Sequence, residues 1–244
     1  MLFRILTIFP EMFAGPLENG ILQRAREQGL LDIELINIRD YSADKHHRVD
    51  DYPFGGGAGM VMQAEPFYAC FKALKITPGE RVVLLTPQGE AFTQKKAEEL
   101  SQEEKITIIC GRYEGIDERV KAPATDEISL GDFILTGGEI AAMAIVDCVG
   151  RLIPGTVGDP ASLREESFNF GLLEYPQYTR PRSYEGHEAP HVLLSGNHGE
   201  IRGWRRAQAV ARTLFRRPDL LAEASWGKED QETVDRILSG GCWR

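Results

Sequence analysis

An α/β chain is predicted, with a parallel sheet covered by helices on both faces, and three observations predict it. Short apolar runs alternate with helix-patterned segments through the first part of the chain, the order that a parallel sheet requires. Three runs end in glycine-bearing turns: Val82–Leu85 before Thr86-Pro87-Gln88-Gly89, Ile106–Cys110 before Gly111, and Phe133–Leu135 before Thr136-Gly137-Gly138. After Ile153-Pro154-Gly155 the character changes, and an arginine-rich helical segment follows. Ligands of open α/β sheets bind beyond the carboxyl ends of the strands. Glycine lets backbone approach a ligand closely, so the three turns predict one pocket built from three loops.

Leu2–Phe9 is apolar, partly β-branched and bounded by Pro10, which reads as a buried strand. Phe13 to Gln28 reads as a helix with Gly29 as its stop, and Asp32–Ile38 as a second strand. The turn after the first strand is Pro10-Glu11-Met12, without glycine, so the first βα unit holds no cofactor in the Rossmann manner. Tyr41–Met62 is a long polar loop with His46, His47, Arg48, Asp50, Asp51 and four glycines in Gly55–Gly59. No Gly-Lys-Ser/Thr follows, so it is not a P-loop, and long structureless loops in compact domains are usually functional. The paired histidines lack a third ligand at fixed spacing, so they define no metal site.

Glu65–Leu74 is expected as a helix, Arg81–Leu85 as a strand, Thr93–Leu100 as a helix and Lys105–Cys110 as a strand. Glu139–Leu152 is almost wholly apolar over its first ten positions. A helix apolar all round has to be covered on all sides. Its small alanines favour a dimer interface over a central core helix. Thr156–Arg182, with Pro160, Pro176 and Pro181 and little periodicity, reads as a linker. Gly199–Arg217 is helical, with Ile201, Trp204, Ala207, Ala211 and Leu214 on one face, and Pro218 ends it. Arg202, Arg205, Arg206, Arg212, Arg216 and Arg217 give it six positive charges against Glu200. Gln231–Leu238 is a short last helix. The expected organisation is an α/β cofactor domain over 1–158, an interdomain linker over 159–182 and a small all-helical domain over 183–244.

The composition narrows the function. The chain has 244 residues, 42% of them apolar, and no apolar run reaches the ~20 residues that span a bilayer. Its start is too short and too early charged for a signal peptide, so a cytoplasmic protein with no membrane partner is expected. Cys70, Cys110, Cys148 and Cys242 are far apart with no CxxC, which reads as buried free thiols rather than zinc ligands. A net charge of -9 argues against a general polyanion binder, so any nucleic-acid site is a local patch. The arginine-rich helix is that patch, or else a solvated helix face; arginine favours bidentate phosphate contact. In Cys110–Val120, Arg112, Glu114, Asp117, Glu118 and Arg119 stand next to a strand end, with glycines flanking Arg112-Tyr113-Glu114. No thiol, serine or histidine stands with partners as an activated nucleophile. The site therefore reads as one that positions two bound molecules. Arg164, Glu165, Glu166 and Ser167 lie in the linker, where a carboxylate could act as a general base on something held between two domains.

Several motifs together resemble one family. They are FPEMF at Phe9–Phe13, DDYPFGGGAGM at Asp50–Met60, TPQG at Thr86–Gly89, CGRYEGIDERV at Cys110–Val120, GDFILTGGE at Gly131–Glu139 and LLEYPQYTRP at Leu172–Pro181. LLSGNH at Leu193–His198, followed by IRGWRRAQAVARTLFRRPDL, completes the set. Over roughly Phe3–Leu221 the chain resembles the bacterial tRNA (guanine-N1)-methyltransferases. The last twenty or so residues lie outside the resemblance. It implies the SPOUT class, with a deep trefoil knot in the backbone and S-adenosylmethionine bound bent within it. It implies a homodimer with active sites across the interface, and methylation of N1 of the guanine at position 37 in the anticodon stem-loop of tRNA. Magnesium (Mg2+) dependence is implied too, although no metal-ligand cluster stands in the sequence. The family's arginine matches Arg151, and its catalytic acid, usually aspartate before serine, matches Glu166 before Ser167, one methylene longer. Cofactor contacts carry over to Thr86, Pro87, Gly111, Tyr113, Glu114, Gly115, Leu130, Gly131, Asp132, Phe133, Ile134 and Leu135, with Gly137 and Gly138 shaping the turn. Asp50, Gly59, Ser167, Arg180, Trp204 and Arg206 match positions near tRNA. A SPOUT-fold RNA-binding protein without this activity, or a methyltransferase for another RNA nucleotide, is the alternative.

Overall fold

A computed structural model describes residues 1–159, 163, 165–168, 171–222, 224 and 226–239. Pro160, Arg164 and Cys242 lie outside these. The chain divides into two compact units, Met1–Gly158 and Asp159–Arg244.

The first unit is built on a parallel sheet of β1 (Leu2–Thr7), β2 (Asp32–Asn37), β5 (Arg81–Ala91), β6 (Lys105–Cys110) and β7 (Asp126–Ser129), in the order β2-β1-β6-β5-β7. Leu2 stands opposite Asp32 on one side and Lys105 on the other, and Val83 opposite Ile108 and Asp126. Strands buried on both faces read as continuous apolar runs rather than alternations, and Ile106–Cys110 is fully buried. Phe3, Ile5, Val83, Leu85, Ile106 and Ile108 share one core with α1 (Gly20–Glu27), α3 (Gln94–Leu100) and α4 (Glu139–Gly150). Leu6, Val82, Leu84 and Ile109 share the other with Phe67, Cys70 and Phe71 of α2 (Ala64–Ala73). Helices thus cover both faces, as expected. One face of α4 packs into the core through Ala141, Ala142, Ile145, Val146 and Val149, while Ile140 and Ala144 remain exposed.

Several expectations need correction. Phe133–Leu135 is not a strand: Phe133 and Ile134 are exposed. The strand is β7, an edge strand with one buried apolar residue, Ile128, and its acids are tied to cations. Asp126 meets Arg81 at 2.8 Å and Lys96 at 3.3 Å, and Glu127 meets Lys121 at 3.2 Å. The chain leaves the sheet just beyond β7 at Gly131, whose φ of +146° suits glycine alone. The first helix begins at Gly20 rather than Phe13, because Pro16 interrupts the run; Pro10–Phe13 is a short 3-10 turn that buries Phe13. The Tyr41–Met62 loop is pinned at its base, where β3 (Asp50–Asp51) pairs antiparallel with β4 (Val61–Met62) and Val49 and Met62 are buried. Lastly, the second unit is not all helical: β8 (Ser183–Tyr184) and β9 (His187–Glu188) form an exposed antiparallel hairpin.

The second unit is organised by α5 (His198–Arg216) and α6 (Lys228–Leu238). Asn197 caps α5, its side-chain oxygen accepting from the amides of Gly199 and Glu200. The buried stripe of α5 is Gln208–Ala211 with Thr213, displaced from the expected one and sharing only Ala211 with it. Apolarity alone could not find it, because Thr213 earns its place by bonding: its hydroxyl donates to the Ala209 carbonyl and accepts from the Leu173 amide, both at 2.8 Å. Leu172, Ala209 and Val210 make a small core. Arg206 joins the two helices through a fork to Asp230, with Nε and Nη2 each 2.8 Å from a carboxylate oxygen. Asp230 also accepts from the Gly227 amide at the start of α6. No described helix is long and apolar enough to cross a membrane.

The Arg206 guanidinium holds the Asp230 carboxyl below the usual carboxylate range. A carboxyl whose pKa is depressed by folding stabilises the fold fully above its unfolded pKa, near ~3.9. That contribution fades as pH falls through the lower folded value. Asp230→Asn is therefore expected to destabilise the second unit by about 1–2 kcal/mol at pH 7, with the difference from wild type shrinking on acidification below the unfolded pKa. Chemical denaturation followed against pH checks this; a pH-independent difference contradicts it.

Candidate active site

The carboxyl ends of β5, β6 and β7, neighbours in the sheet, enclose a cavity of about 550 Å³. Its walls include Thr86 and Pro87 after the regular part of β5, Gly111, Tyr113, Glu114 and Gly115 after β6, and Leu130, Phe133, Ile134, Leu135, Gly137 and Gly138 after β7. The three sequence-marked turns thus meet in one pocket, although the third belongs to a strand placed differently from the one expected. Gly131 and Asp132 stay outside the lining. Gln88, Arg112 and Glu118, which the sequence places in the pocket's loops without assigning them to the cofactor, also line it, as do Lys121, Ser129 and Ala141, which it does not single out. Lys121 lies one residue past the quoted motif and bonds the Gln88 side chain at 3.1 Å, a contact that the sequence does not show.

Beneath the pocket lies a polar cluster. Arg112 folds inward, donating from Nε to Glu139 at 2.8 Å and from Nη1 to the Thr136 carbonyl at 3.2 Å, with its guanidinium 4.6 Å from the centre of the Phe9 ring. Glu139 is completely buried. Its other oxygen accepts from the Thr7 hydroxyl at 2.7 Å, and Thr7 in turn accepts from the Phe9 amide at 2.9 Å. As the first residue of α4, Glu139 also faces the positive end of the helix dipole. The ends of β1 and β6 and the start of α4 are therefore tied by one buried charge pair.

Close backbone approach explains the glycines. A Cβ on Gly138 would stand 2.8 Å from the Cys110 Cα, and one on Gly137 would overlap the Arg112 side chain. The Gly138 amide donates to the Gly111 carbonyl at 2.9 Å. Tyr113 sits at φ +59°, a left-handed conformation uncommon outside glycine and found where a turn is held by its surroundings. Those surroundings include the β3–β4 loop: the Glu114 amide donates to the Met60 carbonyl, the Met62 amide to Gly115 and the Asp117 amide to Met62. A side chain at Gly59 would overlap Glu114, so the Asp50–Met60 loop lies directly against the pocket's second loop.

The Cys70 and Cys110 thiols are not reactive centres. Burial pushes Cys70 up to about 12 and Cys110 well above its ordinary value, so neither forms a thiolate near neutrality. His47 is bonded to the Arg39 carbonyl, and no cluster of three metal-ligating side chains forms among the described residues. Of the remaining expected site residues, Asp50 and Gly59 belong to the first unit, as does half-buried Arg151 at the end of α4. Glu166 and Ser167 belong to the second unit, where the Ser167 hydroxyl accepts from the Glu174 amide at 3.0 Å. Arg180 is exposed, Trp204 lies 6.4 Å from Tyr178 ring to ring, and the Arg206 fork is committed to Asp230.

The comparisons with known proteins agree with the residue reading. The family described as tRNA (Guanine-1)-methyltransferase TrmD matches residues 1–223. A tRNA (guanine-N(1)-)-methyltransferase of Dictyoglomus turgidum is 57% identical over 233 residues, covering 96% of this chain and 95% of that protein. One from Moorella thermoacetica is 58% identical over 238 residues, with 96% and 95% covered. A third, from Desulforamulus reducens, is 57% identical over 234 residues, with 94% and 92% covered. With the pocket, its three loops and the match across nearly the whole length, the chain belongs to the tRNA (guanine-N1)-methyltransferase family.

Proposed function

We propose that the protein transfers a methyl group from S-adenosylmethionine to N1 of guanine in tRNA, at position 37 beside the anticodon. The observation that carries this is the three-loop pocket at the ends of β5, β6 and β7 in a chain of this family. The residues present fit the cofactor. Leu130, Ile134 and Leu135 offer apolar surface for an adenine ring, and the glycine-lined backbone of the 111–115 and 137–138 turns offers amides and carbonyls without intervening side chains. When bound, S-adenosylmethionine supplies an electrophilic methyl on a sulfonium. Support for a knotted backbone comes from the 111–115 turn, bonded on one side to Met60–Met62 and on the other to Gly138, with backbones touching at Cys110 and Gly138. Such knots are rare exceptions to the rules of chain connection.

The residue roles follow from the chemistry of guanine. N1 carries a proton that must leave as the methyl arrives, and the Glu166 carboxylate accepts it. Negative charge grows on O6 as that proton departs, and the Arg151 guanidinium stabilises it. The 159–182 segment, which falls in the second unit, carries the base, and the 183–244 portion docks the anticodon stem-loop. Asp50, Gly59, Ser167, Arg180 and Trp204 contact the tRNA, and Arg206 acts through its fork to Asp230 by fixing α6 on α5. Magnesium rests on the family resemblance, and a cytoplasmic site of action follows from the substrate. The chain works as a homodimer, supported by the exposed Ile140 and Ala144 on a helix whose opposite face is buried.

Single-turnover methyl transfer to tRNA transcripts carrying G or A at position 37 tests the function directly. Wild type is expected to methylate only the G transcript, and transfer to neither, or to both, contradicts the reading. Glu166→Gln is expected to slow that step by ~100- to 10,000-fold while tRNA and cofactor affinities change little; a near-wild-type rate removes Glu166 from the role. Sedimentation is expected to show a dimer at working concentrations, and an active monomer overturns that part.

A further inference from the structure

We infer that the second unit contains a built subsite for one phosphodiester of the RNA backbone, formed by Arg212, Arg216 and Ser167. This deepens the proposed function and rests on it. A cavity of about 460 Å³ lies within the second unit, separate from the cofactor pocket, and these three residues line it with Glu174, Tyr175 and Gln177. Arg212 and Arg216 are four residues apart on α5, so their side chains rise from the same helix face.

The arginines of this segment fall into two groups. Arg205 reaches Glu165 at 3.6 Å and stacks over Tyr175, Arg206 is forked to Asp230, and Arg217 is paired with Asp219 at 2.6 Å. Arg202, Arg212 and Arg216 have no carboxylate partner among the described residues. Of these three, Arg212 and Arg216 line this cavity and Arg202 does not.

The cavity's other polar groups are already arranged around that cationic pair. Ser167 accepts from the Glu174 amide, which leaves its own hydroxyl proton for a ligand. The Tyr175 hydroxyl is already engaged, donating to Glu165 at 2.5 Å. Glu174 is the one acid among the described residues of the lining, and one of its oxygens is taken by the Gln177 amide at 2.6 Å. Two guanidiniums against one carboxylate leave the cavity net positive in a chain of charge -9. Two adjacent planar forks suit the two free oxygens of a phosphodiester, and the serine hydroxyl adds a third donor. Ser167 directly follows Glu166, so a phosphate seated here also fixes the segment bearing the proposed base.

The test uses the full-length protein and unmodified tRNA transcripts. Arg212→Gln with Arg216→Gln is expected to bind tRNA roughly tenfold more weakly at low salt, and its log K against log salt slope should be shallower by about 1–2. S-adenosylmethionine affinity should stay unchanged, and Arg212→Lys with Arg216→Lys should recover most of the slope. A scan of single neutral methylphosphonates along the anticodon stem-loop should reveal one position that weakens wild-type binding and leaves the glutamine variant unaffected. Equal salt slopes in wild type and glutamine variant overturn the subsite. So does a scan with no such position, including the case where inorganic phosphate competes at the cavity yet no RNA phosphate is sensed there. If wild type neither binds nor methylates G37 transcripts, the functional reading itself has failed; if it does both and the slopes coincide, only the subsite has.

Discussion

The buried pair between Arg112 and Glu139 is the constraint on which the pocket depends. Taking two charges out of water costs several kcal/mol each, ~3 or more, and their attraction restores that only with good geometry and further hydrogen bonds. Here both conditions are met: Glu139 receives Arg112 and Thr7, and Arg112 also reaches the Thr136 carbonyl. Such a pair adds little net stability over an apolar substitute, but its geometry is demanding. It fixes where three elements end. With Arg112 turned inward, the following Tyr113-Glu114-Gly115 turn is set against the cavity, and Gly137 and Gly138 close over Arg112 and Cys110.

The same economy of charge operates in the second unit. An acidic chain that binds RNA cannot rely on overall field, so its cations have to be sorted. Asp230 and Asp219 neutralise Arg206 and Arg217, converting two apparent RNA contacts into internal ties. Glu165 and Tyr175 engage Arg205. On α5 itself, Arg202, Arg212 and Arg216 keep no carboxylate partner among the described residues. A local patch of this kind gives register on a polyanion without general affinity for it.

Much of the fold was legible because its signals are local. β6 is read to the residue from its continuous apolar run, α4 from a small-residue apolar stretch, and α3 within one residue of its observed start. Two of the failures, β7 and the stripe of α5, share one cause, which is that the deciding partner lies far along the chain. β7 looks polar because Asp126 and Glu127 are answered by Arg81, Lys96 and Lys121, and its single apolar anchor was outcompeted by the more apolar Phe133–Leu135, of which Phe133 and Ile134 are exposed. The stripe of α5 was displaced because Thr213 and Gln208 are buried, and Thr213 is bonded to Leu173, forty residues away. The pocket's three loops were readable from glycine placement. Arg112 was visible as one charge in a motif, but its inward turn was not, because Glu139 looked like no more than the polar start of an apolar helix.

The most direct test of this account is the affinity for S-adenosylmethionine, by calorimetry, of Glu139→Gln beside a double variant, Arg112→Met with Glu139→Leu. Glutamine keeps the shape but leaves the Arg112 charge buried without its counter-charge. That variant is expected to lose about 3–5 kcal/mol of stability and to bind the cofactor at least ~10-fold more weakly, a difference of about 1.4 kcal/mol. The apolar double variant should recover most of the stability and none of the affinity, since packing is restored while the turn is not. Wild-type cofactor affinity in both variants would contradict the claim that this pair shapes the pocket.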